Sequence, residues 1–223
     1  MEAQRSMTDL DQQVAERLQV VHQRILDAGG SDVDVIAVTK MFGVEAAFAA
    51  YRAGCRSIGE SYAQETVAKL AGVPHEFEVR FIGQLQTNKV RQLVGLVDVF
   101  ETVDRASLIA EIARRAPASR VLVQVSAIGE VGKGGCPLEQ VDEIVGAALT
   151  AGLRVEGLMT VGPTEGGAEA ARSGFRAVRR AVDRLGLTVC SMGMTDDLEV
   201  AVQEGSTEVR LGSALFGPRP RRA

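Results

Sequence analysis

Lys40 is the residue of this sequence whose position best suits chemistry on a carbonyl compound. It closes VDVIAVTK (residues 33–40), a short β-branched apolar run that is typical of a buried strand. We expect a lysine at the end of such a strand to be partly desolvated, which favours the neutral amine that forms Schiff bases. The alternative is a lysine that merely marks where the strand reaches water, as most strand-end lysines do.

Two glycine-containing segments near the C-terminus have the composition of a phosphate site. In SMGMT (residues 191–195), Gly193 permits close backbone approach, and Thr195 or Asp196 is expected to cap the following helix. The free N–H groups at a helix start bind anions. RLGS (residues 210–213) ends another apolar run. Each segment alone is equally well explained as an ordinary glycine turn, but on adjacent strands they would form one phosphate cradle.

The glycine-rich segment GEVGKGG (residues 129–135) does not fit a nucleotide-binding loop. A phosphate-binding loop that starts at Gly129 would require lysine where Gly135 stands. We expect a loop over the mouth of the site, in which Lys133 either reaches a ligand or, more simply, is solvated. The adjacent carboxylates Asp196 and Asp197 are better explained by a helix cap and first-turn charge than by acid–base catalysis.

Composition excludes several classes of protein and of site. The 223 residues carry a net charge of −4, which gives no reason to expect nucleic acid or an anionic membrane as partner. Cys55, Cys136 and Cys190 form no CxxC pair, and His22 and His75 have no metal-ligand spacing, so no metal site is expected. The N-terminus is not a signal peptide and no apolar run has the ~20 residues of a membrane span, so we expect a reducing cytoplasmic location.

The rest of the chain alternates strand-like and helix-like segments. An amphipathic helix comes first, with its apolar stripe at Leu10, Val14, Leu18, Val21 and Ile25. Eight apolar strand candidates follow, at residues 33–40, 56–59, 79–83, 97–103, 120–127, 155–160, 188–192 and 208–212. This alternation predicts an α/β fold, a single (β/α)8 TIM-type barrel over residues 1–223 with an extra N-terminal helix. A doubly wound open sheet is the alternative. We expect residues 1–9 and 218–223 to be flexible ends.

Several longer motifs resemble those of one known family. Along residues 35–217 the chain resembles the pyridoxal-phosphate homeostasis proteins, single-domain relatives of the alanine racemase N-terminal barrel. The motifs that carry the resemblance are AVTK (37–40), IGESYAQE (58–65), RFIGQLQTNK (80–89), GLMTV (157–161) and the long block at 191–217. The resemblance implies a barrel that binds pyridoxal 5′-phosphate (PLP).

The resemblance also assigns roles to individual residues. Lys40 falls on the family's internal-aldimine lysine, residues 191–194 and 212–213 on its phosphate-binding segments, and Arg210 on the arginine that faces the pyridine nitrogen. The cofactor-binding residues implied are Lys40, Ser61, Ser191, Met192, Gly193, Met194, Arg210, Gly212 and Ser213.

The sequence departs from the family pattern at three places. Ser61 stands where the family commonly has asparagine, so any ring contact from this side chain would be shorter, and Arg80 replaces a histidine. Residues 132–135 replace a motif that usually has serine before its lysine. None of these changes affects Lys40 or the phosphate segments.

Three functions remain open: a non-catalytic PLP carrier, a PLP-dependent amino-acid racemase, and a cofactor-free Schiff-base lyase. An arginine facing the pyridine nitrogen cannot accept a hydrogen bond from a protonated nitrogen, so it leaves the nitrogen neutral and the ring would be a weak electron sink. A racemase needs a second base opposite the lysine. The family's racemases take this base from a further domain, which we do not expect here. Neither Tyr51 nor Tyr62 is an evident substitute. The two phosphate segments count against a lyase. We therefore expect a monomeric PLP carrier without evident catalysis that takes part in PLP homeostasis and supplies apo-PLP enzymes.

Overall fold

Eight parallel strands form a closed barrel in the computed structural model, which describes residues 8–130 and 132–218. The strands are β1 (Asp34–Val38), β2 (Ser57–Glu60), β3 (Glu78–Phe81), β4 (Val99–Val103), β5 (Arg120–Ser126), β6 (Cys136–Pro137), β7 (Arg154–Thr160), β8 (Val189–Ser191) and β9 (Glu208–Leu211). The two-residue β6 pairs only with β5, and the other eight strands make the ring. Because β4 pairs with β5 and β9 pairs with β1, the ring is closed, so the predicted barrel is confirmed and the open sheet is wrong.

Helices surround the barrel as the alternating pattern predicts. They are α1 (Asp9–Asp27), α2 (Val44–Ala53), α3 (Ala63–Leu70), α4 (Val90–Leu93), α5 (Ala106–Arg115), α6 (Val141–Thr150), α7 (Arg172–Arg184), α8 (Leu198–Gln203) and α9 (Ser213–Phe216). The extra helix α1 packs on α2 and α9. Both chain ends were expected to be flexible, at residues 1–9 and 218–223. Thr8, within the first of these ranges, is the N-cap of α1. Residues 1–7 and 219–223 lie outside the described residues. Among the described helices, none combines the length and apolarity that a membrane crossing requires.

The barrel interior is unusually polar near β9. Val209 and Leu211 pack outward against α1 and α8, and successive strand side chains point to opposite faces. Glu208 and Arg210 therefore point into the barrel, where both are at least 95% buried. Apolar side chains fill another part of the interior.

Arg80 is the centre of a buried ion-pair network in this interior. Its Nη1 lies 2.8 Å from Glu208 Oε2 and 3.2 Å from Glu101 Oε1, and its Nε lies 2.6 Å from Glu78 Oε1. Ser191 donates its hydroxyl to the other oxygen of Glu101 at 3.0 Å. Buried carboxylates are tolerated when they are paired in this way, so Arg80 is the counterion that permits Glu101 and Glu208 to stay inside.

Glu208 should make the stability of the barrel depend on pH. Burial raises the pKa of Glu208 to about 7, and Arg80 opposes that shift. A carboxyl whose pKa is raised on folding stabilises the protein below its ordinary pKa of 4.5 and loses that contribution as the pH rises through about 7. Glu208→Gln mimics the protonated form, so the variant should gain stability relative to the wild type, with a larger free energy of unfolding, between pH ~5 and pH ~8.

Urea unfolding at the two pH values measures this difference. Glu143→Gln, at an exposed glutamate on α6, is the control and should leave the pH dependence unchanged. Parallel pH curves for Glu208→Gln and the wild type would show that Glu208 is ionised throughout this range.

Candidate functional site

A cavity of about 380 Å³ opens at the carboxyl ends of β1, β8 and β9. This volume is within the range of small-molecule sites. Its wall combines apolar side chains with two cations, one carboxylate and two hydroxyls. The residues that line it are Val38, Lys40, Phe42, Ile82, Val161, Met194, Thr195, Asp196, Arg210, Gly212 and Ser213. The cavity therefore lies where barrel enzymes and binding proteins hold their ligands.

Lys40 enters this cavity from the turn that follows β1. The strand ends at Val38, and Lys40 is half-buried. Met41, the next residue, has φ +68°, a left-handed conformation that is uncommon for a residue with a side chain. The position of Lys40 thus depends on a turn that the surrounding side chains must stabilise.

Arg210 closes the floor of the cavity and is 4% exposed. Its Nη1 donates to Ser191 Oγ at 2.8 Å, and its Nη2 donates to the Thr160 carbonyl at 2.6 Å. Burial lowers the pKa of Arg210, while the neighbouring carboxylates Glu101 and Asp197 oppose that shift. Ser191 and Thr160 thus fix the position of the guanidinium, which can offer a ligand only N–H donors.

The two glycine-containing segments meet at the cavity, as the adjacent-strand prediction requires. Thr195 Oγ1 and Ser213 Oγ are 3.1 Å apart, and both residues line the wall. The expected capping role of Thr195 and Asp196 is wrong, because the turn is longer and α8 begins only at Leu198, with Asp197 as its N-cap. The Asp197 carboxylate instead accepts the Met194 N–H at 2.6 Å. The Thr195 hydroxyl therefore lies at the cavity wall beside Ser213, within the segment that the sequence predicts as part of a phosphate site.

Five of the nine predicted cofactor-binding residues line this cavity: Lys40, Met194, Arg210, Gly212 and Ser213. Ser61 lines a neighbouring groove of about 180 Å³ with Tyr62 and Lys89. Ser191 and Met192 are fully buried, and the Ser191 hydroxyl is engaged by Arg210 and Glu101 beneath the cavity floor. The side chains of these three residues therefore do not line the predicted site.

Gly193 is the fourth predicted residue that does not line the cavity. It has φ +99°, and a Cβ at this position would lie 2.5 Å from the Ala201 Cβ. The glycine is therefore required for the turn to pack against α8.

The loop that contains Lys133 is fastened to the loop after β7. Lys133 Nζ donates to the Gly162 carbonyl at 2.6 Å and pairs with Glu130 at 2.9 Å. Glu130 in turn accepts the Thr164 N–H at 3.0 Å. Lys133 lines a second cavity of about 390 Å³, which shares Val161, Met194 and Asp196 with the first. Lys133 therefore lies beside the Lys40 cavity, anchored between two loops.

A buried cluster behind Lys40 was not assigned any role from the sequence. Lys69 Nζ lies 2.6 Å from Glu60 Oε1, 3.2 Å from Glu65 Oε1 and 2.7 Å from the Thr39 carbonyl. The four-residue spacing of Glu65 and Lys69 on α3 was the available signal. That this pair contacts the turn with Lys40 is seen only in the folded barrel, where α3 packs beside that turn.

Comparison with known proteins places the chain in a family. The family model for the alanine racemase N-terminal domain matches residues 10–220. The pyridoxal phosphate homeostasis protein of Pseudomonas aeruginosa is 36% identical over 222 residues, covering 92% of this chain and 96% of that protein. The chain belongs to the pyridoxal phosphate homeostasis protein family.

Two further matches agree with this family. The homeostasis protein of Aquifex aeolicus is also 36% identical and covers 92% of this chain and 97% of that protein. The structure of PipY from Synechococcus elongatus with PLP bound superposes with a TM-score of 0.78 at 28% identity, covering 92% of this chain and 100% of that one. This pyridoxal phosphate homeostasis family member therefore shares both sequence and barrel with a relative of known PLP-bound structure.

Proposed function

We propose that this protein binds PLP covalently through Lys40 and holds it for intracellular supply, without catalysing a reaction on it. The observation that carries the proposal is a single cavity that joins the Lys40 amine to the Arg210 guanidinium and to the hydroxyls of Thr195 and Ser213. The names of the relatives and the PLP-bound PipY structure support the same cofactor.

The cavity offers a group for the aldehyde of PLP and groups for its phosphate. In its neutral form the Lys40 amine could add to the aldehyde carbon of PLP, with loss of one water as the C=N bond forms. The hydroxyls of Thr195 and Ser213 are donors that a phosphate oxygen accepts from. Arg210 contributes positive charge close to both groups, which favours a dianionic ligand.

Arg210 also supports the non-catalytic part of the proposal. When bound, PLP supplies an electrophilic aldehyde and a ring that withdraws electrons most strongly when its nitrogen is protonated. A guanidinium donates hydrogen bonds to that nitrogen and leaves it without a proton. The contacts with Ser191 and Thr160 hold Arg210 at the cavity, and the family resemblance implies that it would face the pyridine nitrogen.

The racemase alternative requires a second proton-transfer group opposite Lys40. Tyr51 donates its hydroxyl to Glu76 at 2.9 Å, away from the cavity, and Tyr62 lines the neighbouring groove. Of the described residues that line the cavity, Asp196 is the carboxylate that would have to serve.

The distinguishing experiment loads the protein with PLP and supplies alanine in deuterium oxide. A carrier is expected to exchange the α-proton no faster than free PLP, and to restore activity to the apo form of a PLP enzyme. Exchange well above that of free PLP, lost in Asp196→Asn, would establish the racemase instead.

Ser213→Ala should lower the affinity for PLP far more than the affinity for pyridoxal, which has no phosphate. A hydrogen bond to a charged group contributes ~1.5–3 kcal/mol, which corresponds to roughly a tenfold to hundredfold change in Kd. Titration of the apo-protein with each compound measures the two affinities. Ser107→Ala, at an exposed serine on α5, is the control and should change neither. Equal losses for PLP and pyridoxal would mean that Ser213 does not contact the phosphate.

A further inference from the structure

The turn that contains Lys40 is held by side chains from α3 on both sides of the lysine. The carbonyl of Thr39, which precedes Lys40, accepts a hydrogen bond from Lys69 Nζ at 2.7 Å. The N–H of Met41, which follows Lys40, donates to Glu65 Oε1. The same Glu65 oxygen lies 3.2 Å from Lys69 Nζ, so the two contacts belong to one network.

Lys69 uses all of the N–H donors of its ammonium group within this network. Its side chain is 4% exposed, and its three N–H donors reach the Thr39 carbonyl, Glu60 Oε1 and Glu65 Oε1. Glu60 also accepts the Thr39 hydroxyl at 2.5 Å. The ammonium therefore orients both carboxylates while it contacts the main chain beside Lys40.

The Met41 conformation shows why such a network is needed at this turn. A residue with a side chain rarely adopts φ +68°, and such a strained conformation persists only where neighbours hold the backbone. The hydrogen bond from the Met41 N–H to Glu65 provides that restraint. Without it, the turn would relax toward commoner backbone angles and the direction of the Lys40 side chain would change.

We infer that Glu65, oriented by Lys69, is a positioning residue for Lys40: it fixes the turn after β1 so that the lysine amine enters the cavity beside Arg210 and Ser213. This inference rests on the proposed function of Lys40. A purely structural role, in which the cluster only attaches α3 to the barrel, predicts loss of stability without any specific effect on the reactivity of Lys40.

The test compares Glu65 variants of the apo-protein by the rate at which Lys40 forms a covalent bond with pyridoxal, quenched by borohydride. Pyridoxal lacks phosphate, so this rate reports the amine and not the phosphate contacts. Displacing a reacting group in this way costs on the order of tenfold to a hundredfold in rate, and we expect such a loss for Glu65→Ala. Glu65→Gln keeps an oxygen for the Met41 N–H and should stay near the wild-type rate.

Two further variants separate positioning from folding. Glu65→Asp keeps the charge beside Lys69 but withdraws the oxygen from Met41, so it should also react slowly even if Glu65→Ala does not fold. Asp11→Asn weakens the ion pair of the buried Asp11 with the exposed Arg52, between α1 and α2, and should react at the wild-type rate. Amide exchange at Met41 should accelerate in Glu65→Asp and not in Asp11→Asn.

Wild-type reaction rates and unchanged Met41 exchange in the Glu65 variants would overturn the inference and leave the proposed function intact. A wild-type protein that forms no covalent bond with either pyridoxal or PLP would overturn both. Slow reaction in Glu65→Ala and Glu65→Asp, with normal rates in Glu65→Gln and Asp11→Asn, is the expected result.

Discussion

Lys40→Ala is expected to abolish covalent attachment of PLP. Among the described residues that line the cavity, Lys40 is the one primary amine, so its removal leaves no group there that can condense with the aldehyde. The Arg210 guanidinium and the hydroxyls of Thr195 and Ser213 remain, and weak non-covalent binding of PLP should persist. Borohydride treatment followed by intact-protein mass spectrometry measures the covalent fraction directly.

Lys89→Ala is the matched control for this prediction. Lys89 lines the neighbouring groove with Ser61, so this variant should be labelled as fully as the wild type. Full, borohydride-stable labelling of Lys40→Ala at one site would show that another lysine carries PLP. The cavity would then have to be assigned a different ligand.

Arg80→Met is expected to cause the largest loss of stability of the changes considered for this barrel. Removing Arg80 leaves Glu101 and Glu208 inside the barrel without their counterion, and both carboxylates are at least 95% buried. Breaking a buried pair from one side costs ~3–5 kcal/mol, a large part of the ~5–15 kcal/mol that stabilises a typical protein. Urea unfolding at pH ~8, where Glu208 is mostly ionised in the wild type, measures this difference.

Arg184→Met provides the comparison at an exposed ion pair. Arg184 contacts Asp142 at 2.7 Å, but more than half of each side chain is exposed to solvent. Such pairs contribute ~0–1 kcal/mol, so this variant should unfold almost as the wild type does. Similar small losses for Arg80→Met and Arg184→Met would mean that water or protonation compensates Glu101 and Glu208 inside the barrel.

The barrel and the end of it at which the Lys40 cavity lies could be predicted from the sequence because both follow from local patterns. Alternating strands and helices imply parallel strands, and parallel strands bring their carboxyl ends to one face. Lys40, Met194 and Ser213 lie far apart in the chain yet follow such strand ends, so their meeting in one cavity required no knowledge of distant contacts.

The interior contacts could not be predicted because they depend on register and on pairs that are distant in sequence. Arg80 and Glu208 are 128 residues apart, and no local pattern links them. Ser191 belongs to a strand of only three residues, so the sequence could not show whether its side chain faces the cavity or lies beneath its floor. The contact of Glu65 with the Met41 N–H likewise depends on how α3 packs against the turn after β1.

Absorption spectroscopy of the purified wild-type protein with added PLP, followed by borohydride reduction and peptide mapping, addresses the Lys40 assignment directly. We predict an absorption band of a covalent PLP–lysine adduct, and reduction should fix the label on the peptide that contains Lys40. A protein that is colourless after excess PLP has been added and the unbound PLP removed, or a reduced label found only on other peptides, would contradict PLP binding at Lys40. The colourless outcome would instead favour a cofactor-free role for this lysine.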